Sequence, residues 1–195
     1  SSSILKLSNY EINRLVEKFY NDTYLVDQNA CSSPHLIVWL GNKTKKAQNK
    51  FWEHLKLYAN KKYNLTEEGV MNKYTQLCDH ALSLKNLKKY KKYDNLIYTV
   101  TLKNLDKNNH NLRGKWGFFY EYSTNDLNRI KNYINNKYQT LTYFGMDKDS
   151  LRKFVINNQL QGIDRIVPVG QALEISFFWD GYDLNRILSR VVDIK

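Results

Sequence analysis

A chain of 195 residues, 42% hydrophobic, with 8 Gly and 2 Pro, is long enough to bury one core unaided and too apolar to be a disordered linker. Its net charge of +11 invites a polyanionic partner, but Lys and Asn are scattered, as in Asn60-Lys61-Lys62 and Asn135-Asn136-Lys137, and no helix face gathers them, so nucleic acid is not the expected partner. The longest apolar run, Leu36-Ile37-Val38-Trp39-Leu40, is far too short to span a bilayer, and the start lacks the apolar stretch of a signal peptide, so a cytoplasmic protein is expected.

Ser8-x-x-Glu11 has the form of a capping box and predicts a helix to about Asn21, with Ile12, Leu15, Val16 and Phe19 on one face. Asp27 to Pro34 is polar and turn-rich, and Leu36 to Leu40 reads as a buried strand. Thr44 opens an amphipathic helix to about Tyr63, and Thr66-x-x-Gly69 opens another through about Leu84. Lys85 to Tyr93 reads as a solvated basic loop, Leu96 to Leu102 and Trp116 to Tyr122 as strands, and Asp106 to Arg113 as a polar turn between them. Thr124 or Asn125 caps a helix to about Lys137, Leu141 to Phe144 is a short strand, and Asp147 starts a helix to about Leu160. Ile163 to Val169 is a further strand, Gly170 to Ile175 a turn of helix, and Asp180 onward a terminal helix. Strands alternating with helices predict an α/β fold: three layers, a largely parallel sheet and flanking helices, in one domain spanning 1–195.

Two cysteines remain to be placed. Neither belongs to a Cys-x-x-Cys pair and the histidines are scattered, so a zinc site is not expected. Cys78 sits in a helical pattern, where a buried, inert thiol is the plain reading. Cys31 sits in a polar loop just before a strand. There Ser32 and Ser33 lead into a rigid element, and backbone amides, that of Cys31 included, can serve a thiolate and an oxyanion. His35 is within sequence reach as a base, although a histidine at the start of a strand is more simply a surface residue.

The segment Gln28-Asn29-Ala30-Cys31-Ser32-Ser33-Pro34 resembles the nucleophile segment of the fatty acyl reductases of bacterial luminescence (LuxC-like), a branch of the aldehyde dehydrogenase superfamily. Three later segments agree in order: Gln139 to Gly145, Gly162 to Leu173, and Trp179-Asp180-Gly181-Tyr182-Asp183-Leu184. The resemblance implies a catalytic domain of the aldehyde dehydrogenase type, with Cys31 as nucleophile and Asn29, Ser32 and Ser33 in the nucleophile loop. It also implies substrate or cofactor contacts from Gln171, Trp179, Asp180 and Tyr182. The implied reaction takes a fatty acyl thioester, on coenzyme A or an acyl-carrier protein, to an aldehyde through an acyl-cysteine, with NADPH as reductant. The Gly-rich pyrophosphate turn is absent, so the cofactor is expected on an upstream nucleotide-binding domain, this chain being the catalytic half and inactive alone as a reductase. A second copy or an acyl-transfer partner is allowed for. The competing reading is a basic α/β binding module for nucleic acid or an acidic protein, in which Cys31 is incidental and the lysines fall on one face.

Overall fold

The computed structural model describes residues 1–194. A short helix α1 (Ser2–Lys6) precedes α2 (Asn9–Thr23), which begins as the capping box requires: Ser8 Oγ accepts from the Glu11 amide, and the Glu11 carboxylate accepts from the Ser8 amide at 2.8 Å. Strand β1 (Leu36–Leu40) follows, then α3 (Thr44–Lys62) and α4 (Glu67–Ser83), each ending within about a residue of its expected bound. Strands β2 (Leu87–Tyr93), β3 (Ile97–Leu102) and β4 (Phe118–Thr124) complete a four-stranded sheet of order β1-β4-β3-β2. Its β1–β4 and β3–β4 pairs are parallel and its β2–β3 pair is antiparallel.

The sheet is covered on both sides, which makes the fold three layers. One face, through Trp39, Tyr93, Ile97 and Phe119, packs on Ile12, Val16 and Phe19 of α2 and on Phe51, Trp52 and Leu55 of α3. The other, through Tyr98, Val100, Phe118 and Tyr120, packs on Leu77 of α4 and on Ile130 and Phe154. All six residues of β3 are buried, as expected of an interior strand covered on both faces. The first layer also encloses Glu121, whose Oε1 accepts both indole N–H groups, from Trp39 at 2.7 Å and Trp52 at 2.8 Å. Burial pushes that carboxyl above its usual range.

Four expectations are corrected. The basic segment is the edge strand β2, not a loop: it pairs antiparallel with β3 down to Tyr93 opposite Ile97, and that end is anchored because Tyr93 is buried in the core. The helix expected after Thr124 is a 3-10 run, Leu127–Tyr133, capped by Asp126. Strand β5 (Thr140–Tyr143), α5 (Lys148–Asn157) and β6 (Arg165–Pro168) form a small parallel unit of their own, after which Gly170 to Ile175 turns without making a helix. The long terminal helix is replaced by a hairpin, β7 (Phe178–Trp179) and β8 (Tyr182–Asp183), followed by a five-residue α6 (Leu184–Leu188). Asp180 and Gly181 decide this: both adopt positive φ, 49° and 81°, the two-residue turn that Asp-Gly favours and a helix forbids.

Candidate active site around Cys31

Because β1, β3 and β4 run parallel, their N-terminal ends share one end of the sheet, and the loop from α2 to β1 lies there. Its form depends on Gln28. Asp27 and Gln28 both take left-handed φ values, 51° and 60°, each costing a side-chain-bearing residue about 1–2 kcal/mol. Gln28 is 1% exposed and its amide offsets that strain with four hydrogen bonds. Nε2 donates to Pro34 O (2.9 Å) and Phe118 O (3.0 Å); Oε1 accepts from the amides of Gly117 (3.2 Å) and Phe118 (3.1 Å). The loop is thus stitched to the first residues of β4.

On that loop Cys31 is exposed, as expected of a nucleophile that must meet a substrate. Asn29 is exposed, while Ser32 and Ser33 are buried. The Ser33 amide donates to Ala30 O at 3.1 Å, and the Ser33 hydroxyl is buried with no hydrogen-bond partner. Cys78 corrects the sequence reading: it lies on α4 but is exposed, because the buried stripe of that helix runs through Gly69, Lys73 and Leu77 and the next residue falls outside it.

A polar network that the sequence did not reveal borders the loop, beginning at the exposed Arg113. Arg113 Nη2 donates to Cys31 O at 3.3 Å. The Arg113 carbonyl accepts from Gln76 Nε2 at 2.8 Å, Gln76 also reaches Tyr120 Oη at 3.0 Å, and His80 Nε2 meets the same hydroxyl at 2.6 Å. Burial raises the Tyr120 phenol and lowers His80, so both stay neutral. His35 is not a surface residue: it is half-buried, its Nδ1 accepts from the Gly114 amide at 3.3 Å, and burial, aided by the charge of Arg113, lowers it to about 4. With that lone pair engaged and the proton on Nε2, His35 has no ready site for a proton from Cys31. The one available signal was Gly114, where a Cβ would strike the Phe118 carbonyl; a glycine forced by close backbone approach marks the crossover as tightly fitted.

The C-terminal candidates lie apart. Buried Asp22, near the end of α2, accepts the amides of Gly170 (2.6 Å) and Ala172 (2.9 Å), which pins the turn holding Gln171. Arg165 donates to the carbonyls of Gln171, Ala172 and Glu174 and lies 4.5 Å over the Trp179 ring, so its role there is to brace the turn and the hairpin. Asp180 is exposed at the hairpin tip and Tyr182 is 61% exposed, which makes neither a core residue. Among the described residues no hydrogen bond joins this hairpin to the Cys31 loop.

The described residues include two open clefts. One, of about 270 Å³, lies at the C-terminal ends of β1 and β4 and is lined by Gly41, Asn42, Thr44, Ser123, Thr124, Asn125 and Arg129. The other, of about 460 Å³, is lined by Leu84, Leu112 and a group of polar residues that includes Asn86, Asn104 and Asn109. Cys31 borders neither. A dinucleotide does not fit this arrangement. The β1-to-α3 turn carries one glycine, Gly41, and lies at the opposite end of β1 from the Cys31 loop, roughly 15 Å away along the strand. Among the described residues no group of three or more His, Cys, Asp or Glu could hold a metal ion, and no helix is long and apolar enough to cross a membrane. No protein-family profile matches the chain, and no curated protein matches it as a relative.

Proposed function

We propose that Cys31 is the nucleophile of an acyl-transfer step within a fatty acyl thioester reductase of the luminescence type. The observation that carries this reading is an exposed thiol on a loop whose strained backbone is held by four side-chain hydrogen bonds from one buried glutamine. Strain retained and over-determined at one exposed nucleophile favours a working site over an incidental cysteine. The thiolate attacks the carbonyl carbon of an acyl-CoA or acyl-carrier thioester. A new C–S bond forms, and the tetrahedral oxyanion collapses with cleavage of the old one. The carrier leaves as a thiol carrying the proton that Cys31 gave up. The chain's own share of the reaction ends at this acyl-cysteine. NADPH, as the hydride donor that the resemblance implies, belongs on another domain in this reading, since the described residues offer it no cradle beside Cys31.

The binding-module alternative is not favoured. Lys91 reaches toward Glu53 of α3 (3.9 Å) on one face of β2, whereas Lys92 lies over Tyr98 (4.8 Å) and Tyr74 (5.5 Å) on the other, so the densest lysine cluster is divided between two faces.

The test is incubation of the Cys78→Ser chain with a long-chain acyl-CoA, followed by intact mass. One acyl increment, lost after hydroxylamine and absent in Cys31→Ala, is the expected result. An increment that survives Cys31→Ala would move the nucleophile elsewhere, and no increment would remove the reading.

A further inference from the structure

The Cys31 loop leaves three consecutive donors unspent. The amides of Cys31 and Ser32 donate to no protein group among the described residues, and the Ser33 hydroxyl, in a residue 4% exposed, has no partner. A buried hydroxyl without a partner is uncommon in native proteins and calls for a physical reason, and the two amides border the exposed Cys31, where an incoming group can meet them. The carbonyls that share peptide planes with the two amides are both held. Ala30 O, across the plane from the Cys31 N–H, accepts from the Ser33 amide at 3.1 Å. Cys31 O, across the plane from the Ser32 N–H, accepts from Arg113 Nη2 at 3.3 Å. A peptide unit is planar and trans, so fixing the oxygen fixes the N–H in the opposite direction.

Resting on the acyl-transfer reading, we propose that Arg113 is a positioning residue: by holding the Cys31 carbonyl it aims the free Ser32 amide, beside that of Cys31, at the oxyanion formed when Cys31 attacks a thioester. Arg113 touches neither the thiol nor the acyl group in this scheme. It acts through the peptide plane. Its own backbone is fixed by Gln76 on the Tyr120–His80 pair, and its neighbour Gly114 is fixed by His35. Donors held in place before charge develops are what makes an oxyanion site effective, since no reorganisation is then needed during the reaction.

The experiment compares two reactions of the same thiol in the Cys78→Ser background. Acylation by a long-chain acyl-CoA passes through an oxyanion; alkylation by iodoacetamide is a displacement at carbon and does not. In Arg113→Ala the acylation rate is expected to fall about 10- to 100-fold, since loosening a donor costs somewhat less than the ~100- to 1000-fold of deleting one. Alkylation should stay within about threefold. Arg113→Lys, which keeps a cationic donor, should recover part of the loss, as should free guanidinium added to Arg113→Ala. Equal acylation in wild type and Arg113→Ala overturns the proposal. So does a matched fall in both reactions, which would mean that Arg113 serves the thiol or the fold. Failure of the parent chain to acylate Cys31 at all overturns the nucleophile reading instead, and this inference with it, so the two failures are told apart by the parent chain.

Discussion

Gln28 and Phe118, 90 residues apart, exchange two hydrogen bonds: the Gln28 amide donates to the Phe118 carbonyl at 3.0 Å and accepts from the Phe118 amide at 3.1 Å. One side chain thereby imitates the peptide group of a neighbouring strand and extends the sheet past the start of β1. Gln28→Ala leaves the Gly117 amide and the Phe118 carbonyl without their side-chain partner in a buried place, while the Phe118 amide keeps the Lys115 carbonyl at 3.1 Å. A loss of about 2–4 kcal/mol is expected, from an unsatisfied-group cost of ~1–3 kcal/mol each with partial relaxation. Urea unfolding measures it. Gln28→Glu cannot donate to the Pro34 and Phe118 carbonyls and should also destabilise; a wild-type midpoint in either variant contradicts the role given to this residue.

The pH response should carry the signature of His35. Its folded pKa, lowered from 6.5 to about 4, means that the folded state prefers the neutral ring. The unfolded chain therefore takes up a proton first. Stability is full above about 6.5 and is lost as the pH falls toward 4, in an amount of about 3 kcal/mol at most by linkage. His35→Gln, which keeps an acceptor for Gly114 and cannot titrate, should flatten the curve between pH 6.5 and 4. A slope unchanged in the variant would assign the acid sensitivity elsewhere.

Asp22 should act locally. Replacing it with Ala frees the half-buried amide of Gly170 and the buried amide of Ala172, for about 1–3 kcal/mol. Amide exchange is expected to quicken across 165–183 while β3 and β4 keep their protection. Uniform loss of protection across all strands would show that the turn and the main sheet unfold together.

Lys91 on the edge strand supplies a fourth test. Exposed edge strands recruit partners unless charge prevents it. Lys89→Val with Lys91→Val should raise the scattering mass at micromolar concentration with little change in the unfolding midpoint. A monodisperse double variant would mean that the edge is guarded by something other than these lysines.

Local signals were legible where one element decides them. The capping box at Ser8 and Glu11, the apolar stripes of α2 and α3, and the β-branched and aromatic run of β3 each act over a few residues, and each appears where its pattern puts it. The lysines of β2 hid a strand because high charge resembles a loop, while what anchors the strand is Tyr93 meeting Trp52 at 6.4 Å, a contact between distant segments. Cys78 misled for a related reason: a helical pattern tells that a residue is on a helix, and the face depends on which neighbour the helix finds. At the site, Cys31 was readable from its loop. Arg113, Gln76 and Tyr120 were not, because they meet only when a crossover brings 113–120 beside residue 31.

That separation has a consequence for how the molecule comes into being. Among the described residues strand β1 pairs with β4 alone, Leu36 opposite Tyr120, with α3, α4, β2 and β3 made in between. During synthesis at about 5–20 residues per second, the segment bearing Cys31 waits several seconds before its template emerges. A contact so distant in sequence adds to a slow search. The thiol is therefore displayed on an unorganised chain before any site exists around it. A cell that makes this protein meets the first of its two exposed cysteines as an unprotected nascent segment, and only after residue 124 as part of a shaped surface.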